Sequence, residues 1–203
     1  MKLHWHPFSV FPRRVRIALL EKGLAWEDVQ VDIPGGGHRT PEFRRLNPFE
    51  QVPVLEDGDL VLSESIAILE YLEERHPTPA LLPSGPARRA LARQLMLWSG
   101  DYLAPAWKAW MAPRLSRDVR PDDPSVRRGR DAMAAHLDVL EARVRGRAWL
   151  VDDYSLADVC YAPFVTVLGL ELVGLHELVA ERPAVRAWID RLSARPAVRD
   201  TAP

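Results

Sequence analysis

The sequence predicts an α/β domain followed by an all-helical domain, and three patterns support this prediction. In the first part, the apolar spacing changes between a period of two and a period of about 3.6, as strands and helices in turn require. From about residue 87 onward, the spacing stays helical. Prolines and glycine are concentrated between these parts and cannot continue a helix. We therefore predict an α/β domain at residues 1–78, a linker at 79–86 and a helical domain at 87–203.

The first domain has the predicted order βαβ, then α, then ββα. Gly23 is placed to end the first helix, and Thr40-Pro41-Glu42 provides a capping hydroxyl, a first-turn proline and an acid for the second helix. Asp57-Gly58 supplies the positive φ angles of a tight hairpin. The predicted elements are strand 1–5, helix 11–22, strand 29–33, helix 40–46, strands 52–55 and 60–62, and a helix opened by residues 63–65.

Helical faces continue through the second domain. Apolar residues at steps of three, four and seven run from Val126 to Val144, and Ser155-Leu156-Ala157-Asp158 is a capping box. The most apolar stretch, 159–175, contains Pro163 and Glu171, which indicates a buried helix and not a membrane span.

Composition restricts the possible partners. The 27 basic and 28 acidic residues give a formal net charge of -1, which provides no general attraction for nucleic acid or an anionic membrane. Pro7 and the arginines that follow it exclude a secretory signal, and the single Cys160 fits a reducing compartment. We predict a cytoplasmic protein that binds a small molecule or another protein, with no metal site.

Three groups of residues fall where strand ends and helix starts converge at one edge of the α/β domain. Ser9 precedes the first helix, where a hydroxyl can either donate to an anion or simply cap the helix. The Val52-Pro53 bond would expose the Val52 backbone to a ligand if it were cis, although trans is the common form. Glu64-Ser65 can hold the ammonium and carboxylate of an amino acid, or can cap a helix.

Together these groups give the chain a resemblance to the cytosolic glutathione transferases of the serine type. The resemblance covers the whole chain in order. It is carried by Ser9, residues 14–23, residues 37–43, residues 47–53, residues 57–60, residues 64–68 and the capping box at residues 155–158. It implies a thioredoxin-like first domain, an all-helical second domain, a homodimer, and glutathione as cosubstrate in a detoxifying conjugation.

The resemblance also implies roles for individual residues. Ser65 and Glu64 match residues that bind the γ-glutamyl carboxylate and ammonium, and Val52 matches the residue whose backbone pairs with the cysteinyl unit before a cis-proline, here Pro53. The residues that match those near the peptide or its glycyl carboxylate are Gln51, His38 and Arg39. The residues expected to line the pocket of an apolar second substrate are Phe11, Trp107, Trp110, Met111 and Arg114.

Ser9 matches the catalytic hydroxyl of the serine-type classes. The first tyrosine is Tyr71, and Cys160 is far from the first domain, so neither a tyrosine nor a cysteine can replace it there. A hydrogen bond from Ser9 and a helix terminus that lower a thiol pKa by about two units would stabilise the thiolate by about 2.7 kcal/mol. We predict that bound glutathione is mostly thiolate and attacks a small apolar electrophile.

Two departures from the family pattern keep alternatives open. Glu50 stands where a glycine is common, and Pro12 stands where a second hydroxyl is often found. We expect the Glu50 carboxylate to point to solvent. The alternatives are a maleylacetoacetate-type isomerase, whose serine and cysteine run is absent around Ser9, and a non-catalytic protein of the same fold, either like the stringent starvation protein or a carrier of apolar ligands.

Overall fold

The computed structural model describes residues 1–115, 118 and 120–203. These residues form two compact units. One unit comprises Met1–Leu82 together with Arg195–Pro203, and the other comprises Pro83–Ala194. The division between Leu82 and Pro83 falls inside the segment predicted as a linker.

Among the described residues, four strands form one mixed sheet in the order β2-β1-β3-β4. β1 pairs parallel with β2 and antiparallel with β3, which forms an antiparallel hairpin with β4. Gly58, with φ of 60°, makes the hairpin turn that the sequence predicts. The strands are β1 (Lys2–Trp5), β2 (Glu27–Gln30), β3 (Val54–Asp57) and β4 (Leu60–Ser63).

The helices of this unit are α1 (Val10–Glu21), α2 (Pro41–Leu46), α3 (Ser65–Arg75) and α10 (Pro196–Arg199). Successive side chains along β1 and β3 point to opposite faces of the sheet, and both faces are buried. Leu3 and Leu55 are register partners with almost no exposed surface. On the other face, the His4 ring meets the Phe43 ring edge-on at 6.1 Å between centroids. Phe43 also belongs to a buried cluster with Val31, Val52 and Val54.

The end of the chain packs with this first unit, whereas the predicted helical domain ran to residue 203. Arg195 donates from Nε and Nη2 to the two carboxylate oxygens of Glu21 at 2.7 and 2.6 Å. Arg13 donates to the Val198 carbonyl at 3.1 Å and to the Thr201 hydroxyl at 3.4 Å. Burial lowers the pKa of Arg13 to about 10, so the guanidinium still carries its charge at neutral pH.

The second unit is helical, as predicted. Val126, Met133, Leu137, Leu140 and Val144 form the buried face of one long helix, α6. The helices are α4 (Pro86–Trp98), α5 (Ala104–Leu115), α6 (Pro124–Val144), α7 (Leu156–Val165), α8 (His176–Ala180) and α9 (Pro183–Ala194), with a π-helical turn at Ser99–Leu103. No helix within the described ranges is long and apolar enough to cross a bilayer.

The capping box of α7 forms as predicted, because the Ser155 N–H donates to the Asp158 carboxylate at 3.1 Å. The prediction of one helix over residues 159–175 is wrong. Every residue of α7 is buried, but the helix ends at Val165 and turns follow it. Gly174 takes a φ of 67°, and Leu172 is largely exposed. Apolar composition alone cannot separate a buried helix from a helix followed by apolar turns.

Candidate functional site

The strand register brings the three predicted groups to one edge of the sheet. Val54 pairs with His4 in β1 and with Ser63 in β4. The chain leaving β1 leads to Ser9, the chain entering β3 carries Val52 and Pro53, and the chain leaving β4 leads directly to α3. This edge therefore combines a hydroxyl, an extended backbone segment and a helix N-terminus.

Ser9 is the N-cap residue of α1 by position, yet its hydroxyl does not cap the helix. Its backbone N–H donates to the His6 carbonyl at 3.0 Å, and its hydroxyl has no hydrogen bond to any residue the structure describes. Burial lowers the pKa of His6, against the opposing charge of Asp32, so the imidazole adds no charge beside Ser9 at neutral pH. The hydroxyl and the positive end of the helix are therefore available to an anion.

The backbone around Val52 presents hydrogen-bonding groups to a ligand. The Val52-Pro53 peptide bond is cis, and the Val52 side chain is buried. Within the described part of the chain, neither the Val52 N–H nor its C=O forms a hydrogen bond. Asn47 fixes the preceding residue by donating from Nδ2 to the Gln51 carbonyl at 2.7 Å, while the Gln51 side chain is exposed. An extended peptide could pair with Val52 in the manner of an added strand.

Ser65 is the first residue of α3, and its side chain is buried. Arg14, only 1% exposed, donates from Nη1 to the Ser65 Oγ at 3.2 Å. Because this contact uses a lone pair of the hydroxyl, the hydroxyl proton can be donated to another acceptor. Arg14 also lies over the Phe11 ring, 5.1 Å from its centroid. The start of α3 thus combines a helix N-terminus, a hydroxyl donor and a buried cation, which suits a carboxylate.

Two glutamates near this edge have left-handed backbone angles. Glu64 has φ of 70° and Glu50 has φ of 57°, and these are the non-glycine residues with positive φ in the described chain. A non-glycine residue in such a conformation costs of order 1–3 kcal/mol, and such residues cluster at binding sites. Glu64 is exposed and its side chain does not cap α3, so its carboxylate is available to a ligand cation.

The Glu50 carboxylate does not point freely into solvent, so that prediction is wrong. Glu50 accepts a hydrogen bond from Arg44 Nε at 2.7 Å, and its other oxygen lies 3.9 Å from Arg39 Nε. Its side chain is 30% exposed, compared with 70% for Arg39. Glu50 therefore lies between two cations, one of which is predicted to bind the peptide.

His38 and Arg39 lie on the short 3₁₀ turn Gly37–Arg39 that precedes α2. The His38 Nδ1 is buried and has no hydrogen-bond partner among the described residues. A buried polar atom without a partner is unusual in folded proteins and is often completed by a ligand or water. His38 therefore fits a position beside a polar ligand.

The predicted residues of the second-substrate pocket lie on α1 and α5. Phe11 is half-buried on α1. On α5, the Trp107 ring contacts Phe164 edge-on at 5.8 Å, and Trp110 donates from Nε1 to the Val173 carbonyl at 2.8 Å. Met111 is buried, and the side chain of Arg114 lies outside the described part of the structure. The pocket itself stays a prediction.

Arg14 and Arg44 are the site residues that sequence reasoning missed. An arginine inside an otherwise apolar helical face is a usable signal for Arg14, because a buried guanidinium requires a partner. No sequence pattern identifies Arg44, because its contact with Glu50 depends on the turn that precedes β3. Within the described residues, no group of three or more His, Cys, Asp or Glu side chains could hold a metal ion.

Comparison with known proteins identifies the family of this fold and site. Residues 3–80 match the family described as Glutathione S-transferase, N-terminal domain, and residues 123–191 match Glutathione S-transferase, C-terminal domain. Glutathione S-transferase 3 of Zea mays is 36% identical over 99% of this chain and 92% of its own length.

A solved structure supports the same assignment, and one further relative carries a different name. A glutathione transferase structure from Burkholderia graminis, with two glutathione molecules bound per subunit, is 30% identical with a TM-score of 0.88, covering 98% of this chain and 86% of its own. FtsZ-localized protein A of Caulobacter vibrioides is 34% identical over 97% of this chain and 88% of its own length. The chain belongs to the glutathione S-transferase family and is a glutathione transferase.

Proposed function

We propose that the Ser9 hydroxyl donates a hydrogen bond to the sulfur of bound glutathione and keeps that sulfur ionised. The observation that carries this proposal is the unused hydroxyl at the start of α1. It lies on the sheet edge that also carries the exposed backbone of Val52 and the start of α3. A hydroxyl donor together with the positive end of a helix favours the charged form of a thiol.

Glutathione would lie along this edge in an extended conformation. Its γ-glutamyl carboxylate would accept from the Ser65 N–H and hydroxyl, with the charge of Arg14 behind them, and its ammonium would meet Glu64. Its cysteinyl unit would pair with the Val52 backbone, and this pairing directs the sulfur toward Ser9. Gln51, His38 and Arg39 would contact the remainder of the peptide. Because the protein supplies binding and orientation, the nucleophile belongs to the cosubstrate.

The second substrate would be a small apolar electrophile such as a chlorinated aromatic. The glutathione thiol first gives its proton to solvent. The thiolate sulfur then forms a bond to the ring carbon, and chloride leaves with the electron pair of the carbon–chlorine bond. Within the first unit, Phe11 is the proposed contact for such a ring.

The Ser9→Ala variant tests the catalytic assignment. A rise of the bound thiol pKa from about 6.5 to about 8.5 corresponds to about 2.7 kcal/mol, and it lowers the thiolate fraction at pH 6.5 about 50-fold, from about one half to about 1%. We therefore expect kcat/KM for a chlorinated aromatic to fall by about that factor at pH 6.5, and the deficit to shrink as the pH approaches 9. The measurements are the pH profile of turnover and the ultraviolet absorbance of the bound thiolate.

Two further variants make this test specific. Ser193→Ala, at an exposed position of α9, should leave the profile unchanged. Ser65→Ala should raise the KM for glutathione, because it removes a contact made before the chemical step. A Ser9→Ala profile identical to that of the wild type would contradict the assignment, and an absence of glutathione binding at millimolar concentration would favour the non-catalytic alternative.

We also propose that the protein works as a homodimer in the cytosol. The Phe49 side chain is 74% exposed, and contact with a second copy would remove this apolar surface from water. Sedimentation equilibrium should therefore give about twice the 23.0 kDa mass of the chain. Phe49→Ala should shift the equilibrium toward the monomer, whereas a wild-type mass equal to that of one chain would contradict the proposal.

A further inference from the structure

Glu50 combines an unfavourable backbone conformation with a specific ion pair. Its φ of 57° lies in the left-handed region, where glycine is the default residue. A glutamate persists there only when the surrounding structure holds it, and the contact with Arg44 at 2.7 Å is such a restraint. An observed conformational outlier of this kind points to a role for the side chain.

The position of Glu50 relative to Val52 identifies the part of the ligand that it would meet. Val54, two residues after Val52, pairs with Ser63, and α3 begins two residues after Ser63. The start of α3 therefore lies near the end of this segment that leads into β3. Glu50 precedes Val52 on the opposite side along the chain. A tripeptide that places one carboxylate at Ser65 and pairs with Val52 therefore extends its other end toward Glu50. The cations at that end are Arg39 and Arg44, and both lie within 4.0 Å of the Glu50 carboxylate.

We propose that Glu50 competes with the glycyl carboxylate of glutathione for Arg39 and Arg44. This inference rests on the proposed binding of glutathione. The bound peptide would bring a second carboxylate to two cations that already share one, so this end of the site carries one net positive charge before binding and not two. The consequence is a subsite that discriminates less strongly than two unpaired arginines would between free glutathione and derivatives whose glycyl carboxylate is neutralised, such as an ester or an amide.

The test compares glutathione with its glycyl monoethyl ester, measured by calorimetry on the wild-type protein and on Glu50→Gln. The amide keeps the size of the side chain and removes its charge. For the wild type we expect glutathione to bind only slightly more tightly than the ester, because one net positive charge is left for its glycyl carboxylate. For Glu50→Gln we expect glutathione to bind about threefold more tightly, because an exposed ion pair typically changes affinity by about this factor. We expect the dissociation constant of the ester to stay within the error of the wild-type value. The gain should decrease at high salt, because exposed charges are screened.

A matched control separates this effect from a general change in charge. Glu42 lies on α2 with its carboxylate 3.5 Å from Arg45, and both side chains are 72% exposed. Glu42→Gln makes the same charge change on a neighbouring part of the unit and should alter neither dissociation constant. Circular dichroism of both variants should match that of the wild type.

The outcomes distinguish this inference from the proposed function. If Glu50→Gln binds glutathione no tighter, or changes its affinity for both peptides equally, the competition is disproved while the proposed function stands. If the wild type already binds glutathione much more tightly than the ester, the weak discrimination is disproved. A wild-type protein that binds neither peptide overturns the proposed function and this inference with it.

Discussion

Replacing Lys22 with methionine is expected to lower the free energy of unfolding by about 3–5 kcal/mol. This is the usual cost of removing one partner of a buried ion pair and leaving the other charge buried without a counter-ion. Lys22 Nζ lies 2.7 Å from Glu73 Oε2, and their side chains are 0% and 5% exposed. Nζ also donates to the carbonyls of His76 and Pro79 at 2.7 and 2.9 Å. Without the ammonium, a carboxylate and two carbonyl oxygens lose a buried donor.

The Lys22→Met effect should be specific to burial. Lys2 forms a comparable pair with Glu27 at 3.7 Å, but those side chains are 53% and 62% exposed. Lys2→Met should therefore cost less than about 1 kcal/mol. Urea denaturation measures both variants. In the double variant Lys22→Met with Glu73→Gln, the amide oxygen can still accept from the Leu81 and Leu82 N–H groups, so we expect part of the loss to be recovered. Equal losses for Lys2→Met and Lys22→Met would contradict this account.

The Asp158→Asn variant should show the second large loss of folding stability, and the size of this loss should depend on pH. The buried carboxylate accepts hydrogen bonds from the Leu150 N–H at 3.1 Å, the Ser155 N–H at 3.1 Å and the Trp188 indole N–H at 2.9 Å. An asparagine has one acceptor oxygen where the aspartate has two, so at least one buried donor is orphaned. Each orphaned group costs about 1–3 kcal/mol.

The pH dependence of this change follows from the raised pKa of the buried carboxyl. Burial raises the pKa of Asp158 from 3.8 to about 6, against the opposing effect of its hydrogen bonds. A raised folded-state pKa means that the stabilisation is complete below pH 4 and is lost as the pH rises through 6. The loss is about 3 kcal/mol for a shift of this size. The stability gap between wild type and Asp158→Asn should therefore be larger at pH 4 than at pH 7.

A second aspartate provides a control whose contribution to stability should not change between pH 4 and pH 7. Asp123 caps α6 by accepting from the Ser125 N–H and hydroxyl, and these bonds lower its pKa. Its contribution is therefore present above pH 3.8 and is lost only at lower pH, so the gap between wild type and Asp123→Asn should be nearly the same at pH 7 and at pH 4. Thermal denaturation of both variants at these two pH values provides the measurement. A gap for Asp158→Asn that grows with pH would contradict the raised pKa.

Local patterns predicted much of the fold because each one is set by a few neighbouring residues. Asp57-Gly58 specified the hairpin, and the capping box specified the start of α7. The end of α7 was not predictable in this way, since the residues after Val165 remain apolar although the helix stops. The packing of residues 195–203 with the first unit was equally invisible, because the contact of Arg195 with Glu21 joins positions far apart in the sequence.

The candidate site shows the same division between local and distant information. The positions of Ser9, Val52 and Ser65 follow from the order of strands and helices, and the register brings them to one edge. The cis form of the bond before Pro53 was expected from the family resemblance alone, because trans is the commoner form of such bonds. The ion pairs of Glu50 required three-dimensional coordinates, since its neighbours along the sequence do not predict Arg44 as its partner.

The return of the carboxyl terminus to the first unit affects how the protein can be made and recombined. During translation, Glu21 emerges early, whereas Arg195 leaves the ribosome only after the entire helical unit, so the first unit cannot acquire its full set of contacts until the helical unit has been synthesised. For the same reason, a chimera that exchanges helical units between homologues needs two junctions, one near Pro83 and one near Ala194, and is an internal cassette replacement and not an end-to-end fusion.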